Sequence, residues 1–136
     1  MKNQFTRKFT AFILMMMSCI GFFLAGCASQ EGLGPVSGIE SYLKALANKD
    51  SAQLVNASCA DWEEDALQEL RTFDAVNVTL ENLDCQEAGQ DVNTGLVVCE
   101  GKIVANYGNE VLEINLKERT YQAVQEGGEW RMCGYR

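Results

Sequence analysis

The sequence predicts an α+β domain in which helices pack on one face of a curved antiparallel sheet. Three observations carry this. Apolar residues recur at helical spacing between residues 36 and 73. From Ala75 the period drops to two, as in half-buried strands. The alternating segments are separated by short Gly- and Asn-rich turns, which favour an antiparallel meander over crossover connections.

Pro35 introduces the first ordered element, and Ser37 with Glu40 reads as a capping box. Ile39, Tyr42, Leu43 and Leu46 fall at i, i+3, i+4 and i+7, one face of a helix. Asn48-Lys49-Asp50 breaks that helix, and a short second one carries Leu54 and Val55. Asp61 with Glu64 repeats the capping pattern before a third helix to about residue 73. Trp62, Ala66, Leu67, Leu70 and Phe73 line one side of it. Glu63, Glu64, Asp65 and Glu69 are assigned to its solvated side, the early ones favoured by the helix dipole. Four strands are then expected. In the first, Val76, Val78 and Leu80 alternate with polar residues, and a turn over 89–95 follows. The second strand runs from Leu96 to Tyr107, and Gly108-Asn109 turns into a third from Val111 to Gln125. Gly127-Gly128 leads to the last, Trp130 to Tyr135.

The first 26 residues read as an address rather than as fold. Lys2, Arg7 and Lys8 precede about 15 nearly continuous apolar residues, Ala11 to Ala25, a run short of the roughly 20 that a spanning helix needs. The run ends in Leu24-Ala25-Gly26-Cys27, which resembles the lipobox of bacterial lipoproteins. That resemblance implies cleavage before Cys27, diacylglyceryl and acyl (palmitate-type) modification of Cys27, and a lipid anchor in the cell membrane or envelope on its extracytoplasmic face. Ala at position 28 resembles outer-membrane sorting in a two-membrane bacterium, and the outer leaflet in a single-membrane one. The alternative is an ordinary secretory signal cut near Ala28. Residues 28–35 then form a short linker. The expected organisation is a signal peptide at 1–26, lipidated Cys27 and linker at 27–35, and one domain at 36–136.

Composition excludes several functions. The chain has 136 residues and no histidine, which removes Ser-His-Asp and Cys-His catalysis and His-bearing zinc sites. The net charge is -8; without residues 1–26, 8 bases face 19 acids, a net of -11. That balance argues against nucleic acid and against an anionic membrane surface as partners.

Cys59, Cys85, Cys99 and Cys133 remain in the exported domain, an even number that reads as two disulfides. No Cys-x-x-Cys pair is present, so a four-cysteine zinc site is disfavoured, and no metal or cofactor is expected. Pairing follows from the meander. Cys85 and Cys99 are each seven residues from Val92, the centre of the first hairpin turn. Folding the later strands places Cys99 near Glu118 and Cys133 near Thr120, on opposite sides of one strand. Two strand spacings are about 9.5 Å, too far for a bridge. Cys85–Cys99 and, by elimination, Cys59–Cys133 are therefore predicted.

The helix Ile-Glu-Ser-Tyr-Leu-Lys-Ala-Leu, its Asn-Lys-Asp break and the closing Gly-Glu-Trp-Arg-Met-Cys-Gly-Tyr together resemble the nuclear transport factor 2-like superfamily, in particular its small exported lipoproteins. The resemblance spans residues 36–136. It implies a cone formed by a bent sheet closed over the long helix, often with an internal pocket. Tyr42, Tyr107, Tyr121 and Trp130 are the candidate pocket lining; as core-edge residues they need no ligand. Enzymes of the superfamily place an Asp base, Tyr donors or His in the cone. Here Glu118 alone shares the apolar parity of the third strand, between Lys117 and Arg119, and no position matches a catalytic motif. The expected role is a non-catalytic domain that binds a small molecule or an envelope protein. The alternatives are an isomerase or hydratase of the superfamily's kind, and a structural surface spacer.

Overall fold

A computed structural model describes residues 34–136; the signal peptide, Cys27 and most of the linker lie outside the described residues. The elements are α1 (Pro35–Ala47), α2 (Ser51–Asn56), α3 (Glu63–Arg71), β1 (Asn77–Asp91), β2 (Thr94–Asn106), β3 (Val111–Asn115), β4 (Thr120–Glu126) and β5 (Glu129–Tyr135), with a 3-10 turn at Leu116–Glu118.

Helix α1 starts one residue before the expected domain boundary. Gly34 is its N-cap and Pro35 its first residue, where a missing N–H costs nothing. Ser37 is therefore inside the first turn, and its hydroxyl donates to the Gly34 carbonyl at 2.7 Å rather than capping. Ile39, Tyr42, Leu43 and Leu46 are all buried, as the spacing predicts. Asp50 caps α2 by accepting from the Gln53 backbone N–H at 3.0 Å. Trp62, not Asp61, is the N-cap of α3, and no side chain caps it.

The sheet has five strands, not the four expected, in the order β1-β2-β4-β5 with β3 also paired to β2. The anticipated third strand is two. Its first part pairs with Lys102–Asn106 and its second with Thr94–Val98. Between them the 3-10 turn drops Leu116 into the core. The inward parity changes there, from Ile114 and Leu116 to Tyr121 and Ala123. Leu112 lies beyond the core edge and is 46% exposed. Strand β1 is equally modified. Asn82 and Leu83 together oppose Gly101, a bulge between the Glu81–Lys102 and Asp84–Glu100 pairs. Gly101 has φ 105, and a Cβ there would meet the Glu81 carbonyl oxygen at 2.5 Å. The first turn is tighter than expected, with only Val92 and Asn93 between the paired Asp91 and Thr94.

Both predicted disulfides are present, so the four cysteines are not zinc ligands. Cys85 and Cys99 are register partners with Cα atoms 4.1 Å apart. Cys59 and Cys133 are joined with Cα atoms 5.2 Å apart. The second link has a direct cause. Residues 57–59 run parallel to β5: Met132 N–H donates to the Ala57 carbonyl at 2.7 Å, and Cys59 N–H donates to the Met132 carbonyl at 2.8 Å. The strand registers differ slightly from expectation, since Thr120 opposes Val98 and Ala123 opposes Met132.

The space between α1 and the sheet is filled. Tyr42, Leu43, Leu54, Val97, Leu116, Tyr121 and Met132 all fall below 2% exposure. The expected cone over a four-stranded sheet is thus corrected to a five-stranded sheet whose helix-facing side is packed with side chains.

Candidate functional site

The four candidate pocket residues separate into three places. Tyr42 and Tyr121 are buried in the core, Tyr107 is 47% exposed in the β2–β3 loop, and Trp130 is half-buried at the start of β5. Glu118 is exposed in the 3-10 turn, away from any apolar wall.

Tyr42 and Tyr121 belong to a polar-aromatic cluster under α3. The Trp62 indole N–H donates to the Tyr42 hydroxyl at 3.3 Å, and that hydroxyl donates to Glu69 Oε2 at 2.6 Å. Arg119 Nη1 donates to Glu69 Oε1 at 3.2 Å. The Arg119 guanidinium also stacks 4.1 Å from the centre of the Tyr135 ring, which meets Trp62 and Tyr121 edge-on. Burial and the Glu69 charge push the Tyr42 pKa well up. Burial lifts Tyr121 to about 12. Both phenols are therefore neutral at physiological pH. Among the described residues, the buried Tyr121 hydroxyl has no hydrogen-bond partner. The cluster ties α3 to β4 and β5, and Glu69 is held as an acceptor rather than freed as a base.

Sequence reasoning missed Glu69 and Arg119. Glu69 was placed on the solvated side of α3, yet it lies three residues after Ala66 and seven after Trp62, on the helix's inward face. That spacing was the available signal.

Trp130 instead borders an open cleft of about 420 Å³ between α1, α2 and the β4–β5 turn. Ser37 and Ser41 enter it from one face of α1, and Gln53 and Asn56 from one face of α2, at spacings of four and three residues. Glu129 closes it from β5. The Gln53 and Asn56 side-chain amides are exposed and have no hydrogen-bond partner among the described residues. The cleft is held by close packing, because Gly38 brings α1 against the β5 backbone at Trp130.

Among the described residues, no group of three or more acidic or cysteine side chains could hold a metal ion. Nor is any helix among them long and apolar enough to cross a membrane.

These features define a disulfide-stapled α+β domain with an open surface cleft of mixed lining and a filled core. No family model and no curated protein matches the chain. Among solved structures, it is similar to a SEC-C motif-containing protein from Rhodopseudomonas palustris, with a TM-score of 0.52 at 14% identity over 77% of this chain and 79% of that one. A second similarity is to the helical cell shape determining protein Pgp2 from Campylobacter jejuni, with a TM-score of 0.48 at 7% identity. It covers 74% of this chain but only 38% of that protein. The fold is thus shared with the SEC-C motif protein, which corrects the expected cone closed over a four-stranded sheet.

Proposed function

We propose that the protein is a lipid-anchored extracytoplasmic lipoprotein whose domain is a non-catalytic binding module. The observation that carries the reading is the run from Lys2 to Cys27: basic start, apolar stretch of signal length, and Leu24-Ala25-Gly26-Cys27 at its end. The two disulfides support it, since they persist in oxidising compartments. Two or more acyl chains on Cys27 give durable anchoring to the bilayer where one would be marginal. The acidic domain adds no attraction to anionic headgroups and none to nucleic acid.

The binding role is supported by the way the acids are used. Glu69, the acid most engaged with the core, is satisfied by Tyr42 and Arg119, and Glu118 is exposed. The exposed Gln53 and Asn56 amides, with no hydrogen-bond partner among the described residues, lie instead on the surface cleft. The experiment is metabolic labelling with an alkyne-bearing palmitate, followed by detergent-phase partitioning. The parent chain is expected to be labelled and to enter the detergent phase, and Cys27→Ser to do neither. A Cys27→Ser chain that partitions like the parent overturns the anchor.

A further inference from the structure

The geometry points to the cleft between α1, α2 and the β4–β5 turn as a binding site for a neutral oligosaccharide. Its volume, about 420 Å³, falls within the range of small-ligand sites. Its lining then restricts the ligand. Glu129 is the charged group that lines it, and the Arg131 guanidinium beside it is already paired with Glu129 at 3.2 Å. An anionic ligand such as a phosphate or carboxylate would meet the Glu129 carboxylate, and among the described residues no cation lines the cleft. A fully apolar ligand would cover the Gln53 and Asn56 amides without pairing them, which is unfavourable because each would lose its bonds to water.

A sugar fits the same groups. Each free amide offers a donor pair and an acceptor, which matches the adjacent hydroxyls of a pyranose. The Ser41 hydroxyl donates to the Ser37 carbonyl at 2.7 Å, which leaves its lone pairs to accept. The Glu129 carboxylate is an acceptor for two further hydroxyls. Trp130 is the aromatic residue of the lining, half-buried with its ring edge packed over Gly95, and its remaining surface is apolar contact for a ring's C–H face. The amides sit on one helix, the hydroxyls on another and the ring on a strand, so all three are fixed by the fold rather than by a loop. If Cys27 is the lipidated residue, as proposed above, the chain from there to Gly34 spans at most about 25 Å. The cleft then sits within reach of headgroups as well as of free glycans.

The test uses the full chain purified in detergent. It is titrated with chitotriose and with maltotriose, following Trp fluorescence. A parallel arm presents glucosyl diacylglycerol in phosphatidylcholine vesicles. Saturable binding to a trisaccharide is expected, weakened about tenfold by Gln53→Ala and again by Asn56→Ala, the loss of roughly one ligand hydrogen bond each. Both side chains are exposed, so the variants keep the fold, which intact disulfide mapping verifies. Binding to the vesicles but not to free sugars, with the same two dependences, assigns the site to a glycolipid headgroup. No saturable binding in either arm at concentrations on the order of 10 mM overturns the proposal. So does binding that neither substitution changes. The Cys27→Ser chain should bind the sugars like the parent, so failure of the anchor and failure of the cleft are read separately.

Discussion

Gly38→Ala sets two effects of known sign against each other. Gly38 lies inside α1, where Ala would ordinarily gain about 1 kcal/mol of helix propensity. A Cβ at that position, however, would stand 2.4 Å from the Trp130 carbonyl oxygen, 2.8 Å from its carbon and 3.3 Å from the Arg131 nitrogen. All three are backbone atoms of β5, so no side chain can swing away. Restoring ordinary contact requires α1 to move from β5 by about 1 Å. That helix carries Ile39, Tyr42, Leu43 and Leu46, each at or below 1% exposure, and their packing cannot follow without leaving gaps. Overpacking against backbone belongs at the upper end of its usual 1–3 kcal/mol, so the net loss is about 2 kcal/mol after the propensity gain. For a domain of this size that lowers Tm by about 10 °C. Thermal melts with the disulfides intact measure it, with Ser41→Ala as the control: exposed on the same helix, it should change stability by less than about 0.5 kcal/mol. A Gly38→Ala protein that melts at or above the parent temperature would refute the close approach of α1 and β5, and with it the shape of the cleft.

Four further outcomes are expected. Replacing Cys59 and Cys133 by Ala should cost more than replacing Cys85 and Cys99, about 4.5 against about 3 kcal/mol of chain entropy, because the sequence separations are 74 and 14; urea midpoints that reverse this order contradict it. Tyr121→Phe removes a buried hydroxyl with no partner and should leave stability unchanged or raised by about 1 kcal/mol, whereas Tyr42→Phe should lower it by about 1–2 kcal/mol; equal losses would show that both hydroxyls are bonded. The folded pKa of Tyr121 is raised from 10.0 to about 12, so its contribution is complete below pH 10 and is lost as pH rises through about 12; a fall of about 2–3 kcal/mol across that window, absent in Tyr121→Phe, is read from urea midpoints against pH. Glu69→Leu should lower stability by about 2–3 kcal/mol, since it strips Arg119 and Tyr42 of their shared acceptor; a melt unchanged from the parent means the pair is solvent-screened.

How far the sequence could be read follows the length of each pattern. Helix α1 was legible because four apolar residues at helical spacing are all buried, and the pairing of Cys85 with Cys99 because a short hairpin fixes register by counting. The split of the third strand was not. Leu112, Ile114 and Leu116 continue a period of two straight into the 3-10 turn, and the signal of a break lies beyond it, in the change to Tyr121 and Ala123. A parity switch of that kind needs a residue outside the ladder, and at this turn Leu116–Glu118 supply it.

The candidate site was harder to read for a different reason. An aromatic residue at a core edge reads equally as pocket lining or as a filler with a polar tip, and only its neighbours decide which. Tyr42 and Tyr121 have Glu69, Arg119 and Tyr135 around them, so their rings close the interior that a hollow cone would have left open. Trp130 has Gly38 against its backbone and its ring edge over Gly95, so the same residue class is half-buried there at the border of the cleft. The Cys59–Cys133 bridge holds this second arrangement in place. It fastens the segment that follows α2 to β5, the strand that carries Trp130 and Glu129. Reducing that bridge should therefore loosen the cleft before it disturbs the Tyr42–Glu69–Arg119 chain, whose residues lie on α1, on α3 and between the 3-10 turn and β4.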